Sequence, residues 1–161
     1  EVAFKYKMSS LQAALGTAQI ERLDELVGRK REICAWYREA LADLRALQWN
    51  AEPPGTLNSI WMSTVVLDKS LDATGAELMQ AFDAQNIDSR PFFHPLSSIP
   101  AFRDHPQASV GRDQNPHAYD IAPRGLNLPS ALCLTRVQVE IVADALRQFV
   151  TTHTQQDRQA A

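Results

Sequence analysis

The first third of the chain carries an amphipathic pattern with helical spacing. Apolar residues recur three or four positions apart across residues 11–46, which places them on one stripe of a helix. Ser9 and Gln12 are spaced as a capping box, which satisfies free backbone N–H groups at a helix start. The pattern predicts one helix over 11–46, with close packing at Gly16 and a candidate kink at Gly28. At about 1.5 Å per residue it is on the order of 50 Å long, which predicts a partner surface larger than this domain.

The remainder of the chain predicts short strands and two shorter helices. Residues 60–67 alternate like a strand, with Ile60, Met62 and Thr64 on one face and Trp61, Ser63 and Val65 on the other. The other predicted elements are a helix opened by the capping box Thr74–Glu77, a strand over 87–90, a helical turn at 118–121, an edge strand over 125–129 and a last helix opened by Thr135 and Gln138. Five prolines exclude a long regular element from 91–117.

Together these elements define an α+β fold. One long N-terminal helix, a short and mostly antiparallel sheet, and two helices on one sheet face form a single domain. The sequence predicts this domain over residues 1–150 and a polar, frayed tail over 151–161.

Composition narrows the classes of function. The chain has 161 residues and a net charge of −3, so no overall basic field favours nucleic acid or an acidic membrane. No apolar run reaches the roughly 18 residues of a membrane span and the first residues are no signal peptide, which predicts a cytoplasmic protein. Cys34 and Cys133 lie in apolar surroundings without zinc-type spacing, so we expect two buried free thiols and no metal site.

The first candidate site is the basic stretch Lys5, Tyr6 and Lys7. Two ammonium groups flank a phenol just before a helix start, where exposed N–H groups and the helix dipole favour an anion. The alternative is a solvated basic patch near the terminus. From the spacing alone, the solvated patch is the favoured interpretation.

The second candidate site is the loop SRPFFHPLSS at 89–98. Arg90 supplies a bidentate anion donor and His94 a titratable ring, beside two aromatic side chains. The alternative is a proline-stiffened loop that packs Phe92 and Phe93 into the core while Arg90 pairs with an acidic neighbour. From the residues alone, this structural role is favoured.

The remaining polar features predict no further site. Arg29, Lys30 and Arg31 form a basic run that is expected on a solvated helix face. The serines lack the Gly-x-Ser-x-Gly setting of a nucleophile elbow, and the chain has no glycine-rich phosphate loop or dinucleotide fingerprint.

Three segments of the chain resemble one family of enzymes. They are KYKMSSLQAALGTAQIERLDEL at 5–26, IDSRPFFHPLSSIPAF at 87–102 and GLNLPSALCLTRVQVEIV at 125–142. In order and spacing they resemble motifs of the DegT/DnrJ/EryC1/StrS sugar aminotransferases, nearest to the perosamine-synthetase-like branch. The resemblance covers about residues 4–150.

The resemblance implies the small C-terminal domain of a fold-type I, aspartate-aminotransferase-like enzyme. Such enzymes use pyridoxal 5′-phosphate (PLP) to move an amino group from glutamate to the keto sugar of a nucleotide sugar, as homodimers in polysaccharide biosynthesis. The family's Schiff-base lysine lies upstream in a large PLP domain, and the four lysines of this chain stand elsewhere. The fragment alone is therefore expected to be inactive.

The resemblance also assigns site residues. Lys5 stands where relatives carry an asparagine that reaches the PLP phosphate of the neighbouring subunit, which predicts a cofactor contact across the dimer. Lys7 stands where relatives carry an arginine near a substrate carboxylate or phosphate. It keeps the positive charge but cannot form the bidentate hydrogen bonds of a guanidinium. The expected substrate contacts are Tyr6, Lys7, Arg90, His94 and Ser97.

Two alternatives remain open. One is a dehydratase or a non-catalytic regulatory homologue that binds a sugar nucleotide, because membership of a family does not fix the reaction. The other is a stand-alone helical interaction module whose long apolar stripe binds a partner.

Overall fold

The computed structural model describes residues 6–160, and the side chains of residues 6–154. The helices are α1 Ser10–Ile20, α2 Leu23–Ala40, α3 Gly75–Asp83, α4 Ala108–Gln114, α5 Pro116–Ile121 and α6 Arg136–Ala160. The strands are β1 Leu47–Trp49, β2 Thr64–Leu67, β3 Arg90–Pro91 and β4 Gly125–Asn127. Single 3-10 turns lie at Lys69–Leu71, Leu96–Ser98, Pro100–Phe102 and Ala122–Arg124. Among the helices of residues 6–160, none is both long and apolar enough to cross a membrane.

The predicted α+β fold is confirmed. The strands form one antiparallel sheet in the order β1-β2-β4-β3. Helices α2, α3 and α6 contribute buried apolar side chains to one core that they share with the sheet. The largest fully buried side chains of this core include Tyr37, Phe82, Leu126 and Leu146. The predicted capping boxes of α1 and α3 are present, and Thr135 and Gln138 exchange the same pair of hydrogen bonds before α6.

The prediction of one helix over 11–46 is wrong. The helix breaks at Glu21 and Arg22, not at Gly28, and Arg22 has φ −108° and ψ 12°. The reason is that only the second half reaches the core, since α2 buries side chains such as Tyr37 whereas Ser10–Ile20 is solvent-exposed along its length. After α2 the chain turns and forms β1, a strand that the sequence pattern concealed.

The strand predicted at 125–129 is confirmed in position but not as an edge. Strand β4 is central, because Leu126 pairs with Val65 of β2 on one side and with Pro91 of β3 on the other. Pro129 does not prevent this pairing because the ladder ends before it, at the bond from Leu128 N to Ser63 O. The edge strand on this side of the sheet is instead β3, which has two residues.

Four smaller predictions also need correction. The strand expected over 60–67 begins only at Thr64, and the one expected over 87–90 is Arg90–Pro91. The tail after residue 150 is not frayed in its backbone, since α6 continues to Ala160. Cys34 is buried as expected, but Cys133 is exposed because it lies in the surface turn before α6.

Helix α3 approaches strand β4 more closely than a side chain would allow. A Cβ placed on Gly75 would lie less than 3.0 Å from the carbonyl oxygen of Gly125. On Gly125 itself, a Cβ would lie 2.7 Å from Cβ and Cγ of Phe92. The two glycines therefore let α3, β4 and the start of the 92–98 loop pack as three successive layers.

We expect Gly75→Ala to destabilise the fold by about 1–3 kcal/mol, because the added methyl group overlaps a backbone oxygen and forces the helix away from the sheet. The measurement is the free energy of unfolding in urea. Gly28→Ala is the matched control, since its Cβ would meet no described atom within 4 Å and alanine favours a helix interior by about 0.5–1 kcal/mol. Equal effects of the two substitutions would contradict the steric interpretation.

Candidate functional site

Helix α2 holds the segment 128–134 through its basic run. Arg29 donates to the carbonyls of Leu132 and Leu134, and Lys30 donates to the carbonyl of Ser130. The prediction of a solvated basic face is therefore wrong for these two residues. They bind loop carbonyls because the segment is too irregular to satisfy its own acceptors.

The neighbouring side chains complete this attachment. Tyr37 donates from its hydroxyl to the carbonyl of Pro129 over 3.0 Å, and burial raises the pKa of this phenol. Arg31 binds the carbonyl of Asn58 and pairs with Glu52 at 3.0 Å. Burial also lowers the pKa of Lys30. A single helix thus fixes both the 58–63 turn and the 128–134 segment.

Asn127 of β4 connects its strand to both neighbours, β2 and β3. Its side-chain amide donates to the Pro91 carbonyl at 3.0 Å, and its side-chain oxygen accepts from the Thr64 hydroxyl at 2.8 Å. The residue is 3 % exposed, so these bonds form in a region of low dielectric where an unpaired amide is unfavourable. Asn127 therefore sets the direction in which the chain leaves β3 and enters the 92–98 loop.

The turn before β2 has a strained backbone. Ile60 has φ +51°, which is a true outlier for a β-branched residue. Its N–H donates to the Asn58 side chain at 2.9 Å, and its own side chain is buried. The predicted alternation fails here, because Trp61 turns outward instead of sharing a buried face with Ser63 and Val65.

Trp61 and Phe93 form an exposed aromatic pair. Their ring centroids are 6.1 Å apart and their planes differ by 15°, and the two side chains are 68 % and 61 % exposed. Phe92 is half-buried over Gly125. The interpretation that both phenylalanines pack into the core is therefore wrong for Phe93.

A cleft of about 620 Å³ is lined by Trp61 but not by Phe93. Its walls come from the 60–63 turn, the 86–90 segment, the 127–131 segment and helices α2 and α6, and they include Lys30, Trp61, Asp88, Arg90 and Asn127. Ser89 also lines the cleft, and its buried hydroxyl makes no hydrogen bond with any residue that the structure describes. The cleft thus combines an aromatic surface with two cationic side chains.

The predicted site residues fall into separate places. Lys5 lies outside the described residues. Tyr6 and Lys7 are exposed ahead of α1 and away from the cleft. Arg90 lines the cleft and pairs with Asp88 at 3.1 Å, as the structural interpretation expected, although both side chains are largely exposed. His94 is exposed on the loop that follows.

Ser97 belongs to a second cleft of about 680 Å³. Its hydroxyl lies 2.9 Å from the Tyr119 hydroxyl, and its side chain packs where a Cβ on Gly111 would stand. Ser97 therefore joins the 92–98 loop to α4 and α5. The structure brings Arg90 and Ser97 to two ends of one loop, not to one pocket.

Sequence reasoning missed three residues of the first cleft. The sequence pattern places Trp61 on a strand face and Lys30 on a solvated helix face, and it offers Asn127 only as part of the segment 125–129. The motif around Asn127 was the one available signal, since a polar residue between two leucines in a short strand needs a buried partner.

Comparison with known proteins identifies the family. The model of the DegT/DnrJ/EryC1/StrS aminotransferase family matches residues 1–147, and the chain belongs to this family. It is 33 % identical over 148 residues to a GDP-perosamine synthase of Vibrio cholerae and 36 % identical over 151 residues to one of Caulobacter vibrioides. Each alignment covers 92 % of the chain and 39 % of the relative. The chain thus spans about two fifths of the length of these curated relatives.

The solved structures agree with this assignment. The crystal structure of DesI in the presence of its TDP-sugar product superposes with a TM-score of 0.78 at 26 % identity, covering 95 % of this chain and 38 % of DesI. The predicted fold class, that of a small domain in fold-type I sugar aminotransferases, is confirmed.

Three of the four lysines of the chain lie within the described residues. Lys7 is exposed before α1, Lys30 donates to the Ser130 carbonyl, and Lys69 pairs with Asp120 at 2.8 Å.

We expect Asn127→Ala to destabilise the fold by about 1–3 kcal/mol, because it leaves the Pro91 carbonyl and the Thr64 hydroxyl without their partner. Urea unfolding measures this change, and a double-mutant cycle with Thr64→Val gives the coupling of the two side chains. Thr56→Val is the control, since it removes an exposed hydroxyl bond to the Pro53 carbonyl and should change stability by less than about 0.5 kcal/mol. Additive effects of Asn127→Ala and Thr64→Val would refute the bridging role.

Proposed function

We propose that the full-length protein containing this chain is a PLP-dependent aminotransferase that aminates the keto sugar of a nucleotide sugar. The observation that carries the proposal is the family match across residues 1–147, together with relatives named GDP-perosamine synthase. Those names make a GDP-linked sugar the first substrate to test. Glutamate is the proposed amino donor.

This chain is proposed as the small C-terminal domain of that enzyme. PLP, held mainly by an upstream large domain, supplies the electron sink and carries the amino group. The residues of this chain bind and orient the substrate. Arg90 offers a guanidinium to phosphate, and its exposed pair with Asp88 contributes little stability, so the side chain is free to exchange partners.

The predicted contacts of the N-terminal stretch remain proposals. In a homodimer Lys5 would bring its ammonium to the PLP phosphate of the partner subunit, and Tyr6 and Lys7 would lie at the substrate. The structure supports this only by leaving Tyr6 and Lys7 exposed ahead of α1, where a second surface can meet them. His94 and Ser97 are proposed at the far side of the loop, over the sugar.

Helix α1 is proposed to pack on the upstream large domain. Leu11 and Leu15 are 73 % and 62 % exposed on one face of the helix, and Gly16 leaves space for close approach, since a Cβ there would meet no described atom within 4 Å. An exposed aliphatic face of this kind is typical of a buried contact in the complete protein.

The aminotransferase proposal is tested by the absorbance spectrum of the full-length protein purified with PLP. We expect glutamate to move the cofactor's visible band to shorter wavelength, because the cofactor accepts the amino group in the first half-reaction. A second addition of a GDP-linked keto sugar should restore the original band. The control is glutarate, which carries both carboxylates of glutamate without the amino group.

Other outcomes would select the alternatives. A PLP band that glutamate leaves unchanged would favour a dehydratase or a regulatory homologue. A protein without a PLP band would exclude every PLP-dependent function and leave a binding protein.

We expect Leu15→Glu to destabilise the full-length protein by about 2 kcal/mol or more, because a carboxylate would be buried where an aliphatic side chain packs. Thermal unfolding of the PLP-loaded enzyme measures the effect. Thr17→Glu, at an exposed position on the opposite side of the helix from Leu15, is the matched control and should be nearly neutral. If both variants unfold like the parent, α1 is exposed in the complete protein, and the interaction-module alternative gains support.

A further inference from the structure

The loop that follows β3 is fixed at two points, and the residue between them that carries a titratable ring is exposed. At the start of the loop, Phe92 packs on the backbone of Gly125. At its end, the hydroxyl of Ser97 lies 2.9 Å from the hydroxyl of Tyr119 on α5 and shares a hydrogen bond with it. His94 lies between these points and is exposed, so its position depends on both fixed ends.

Helix α4 meets the loop at the same serine. A Cβ placed on Gly111, which is buried, would lie 2.5 Å from Cβ and Oγ of Ser97, so α4 approaches this closely only because it carries a glycine there. At the joint between α4 and α5, Asn115 donates to the Gly111 carbonyl from its side chain at 2.9 Å and from its backbone at 3.0 Å. Ser97 therefore packs on α4 while its hydroxyl binds α5.

Tyr119 is itself connected to the core of the domain. The guanidinium of Arg112 lies over its ring, 5.2 Å from the centroid, which is within the range of a cation–π contact. The next residue, Asp120, pairs with Arg124 at 2.8 Å, and Arg124 also donates to the carbonyl of Leu67 at the end of β2. The hydroxyl of Tyr119 thus has a position that is defined relative to the sheet.

The exposed part of the loop follows the position of its fixed end. Pro95 has a restricted φ and no N–H, and it comes directly before the 3-10 turn Leu96–Ser98. Ser98 donates its N–H and its hydroxyl to the Pro95 carbonyl at 2.8 and 2.7 Å. Because this segment has few conformations to choose from, a displacement of Ser97 is passed on to His94 and is not absorbed within the loop.

We infer that Tyr119 is a positioning residue, which places the 92–98 loop and its His94 for binding of the sugar through the hydrogen bond to Ser97. The inference rests on the proposed function for the identity of the substrate. Tyr119 contacts no reacting atom in this role, and its phenol takes no part in proton transfer. Its effect is therefore expected in the binding of the nucleotide sugar and not in the reaction of the cofactor with glutamate.

The test is Tyr119→Phe in the full-length, PLP-loaded protein, since this variant keeps the ring beside Arg112 and removes only the hydroxyl. KM for a GDP-linked keto sugar should rise about fivefold, the effect of losing one neutral hydrogen bond. We expect kcat to change by less than about twofold, because lost ground-state binding raises KM alone, and glutamate should shift the PLP band at the parent's rate. An unchanged KM, or an equal loss in both half-reactions, would overturn the inference.

Ser97→Ala tests whether Tyr119 acts through this serine. The variant removes the other side of the same hydrogen bond and should raise KM at least as much as Tyr119→Phe. The double variant should match Ser97→Ala, because the two changes remove one shared interaction. Effects that multiply in the double variant would show that the two hydroxyls act independently, which contradicts the positioning role.

Two further variants separate positioning from a loss of structure. Gly111→Ala keeps both hydroxyls but brings a methyl group against Ser97, so it should also raise KM while the glutamate reaction stays unchanged. Ser109→Ala is the control, since it removes an exposed hydroxyl of α4 that donates to the Pro106 carbonyl at 2.8 Å, and it should leave KM unchanged. A lower melting temperature of Tyr119→Phe together with a slower glutamate reaction would assign Tyr119 a structural role only.

The two proposals fail separately. If glutamate shifts the PLP spectrum but Tyr119→Phe and Gly111→Ala keep the parent's KM, the positioning role is wrong and the aminotransferase stands. If glutamate leaves the parent's spectrum unchanged, the aminotransferase proposal fails, and isothermal titration with the GDP-linked keto sugar decides the role of Tyr119. An affinity about fivefold weaker in Tyr119→Phe would support positioning in a protein with another activity, and an equal affinity would refute it.

Discussion

The contact between α3, β4 and Phe92 is the constraint from which the rest of the site follows. Gly75 and Gly125 bring a helix start against the backbone of the central strand, and Phe92 closes on Gly125 from the loop. Since β4 pairs with β2 and β3 on its two sides, its position fixes the whole sheet. The loop that follows β3 is therefore held against the central strand at its first residue, Phe92.

Helix α2 supplies the second constraint, because it fixes two of the segments that line the first cleft. Its Tyr37, Lys30 and Arg29 bind successive carbonyls of the segment after β4, and Arg31 binds the turn that precedes β2. These segments have little regular structure of their own, so side chains replace the backbone bonds that a sheet would supply. Side chains of α2 thus hold two walls of the cleft in place, although most residues of those walls lie outside helices and strands.

The sequence predicted local features of the fold better than distant ones. The capping boxes at Ser9, Thr74 and Thr135 depend on residues three apart, and all three are present. The central place of β4 depends on pairing with residues about 60 and 35 positions away, as in Thr64 with Asn127 and Arg90 with Asn127. The break after α1 depends on which half of the pattern meets the core. No spacing rule contains that information.

The site shows the same division between local and distant information. Arg90 is predicted from the sequence because its motif is contiguous. The exposure of Trp61 is not, because it depends on the positive φ of Ile60, which the alternating pattern does not reveal. The two exposed faces of the chain also differ in chemistry. The face of α1 is aliphatic, which suits another protein surface, while the cleft beside Trp61 carries two cationic side chains, which suit an anionic ligand. The proposed function gives each exposed face a role, the first against an upstream domain and the second toward the substrate.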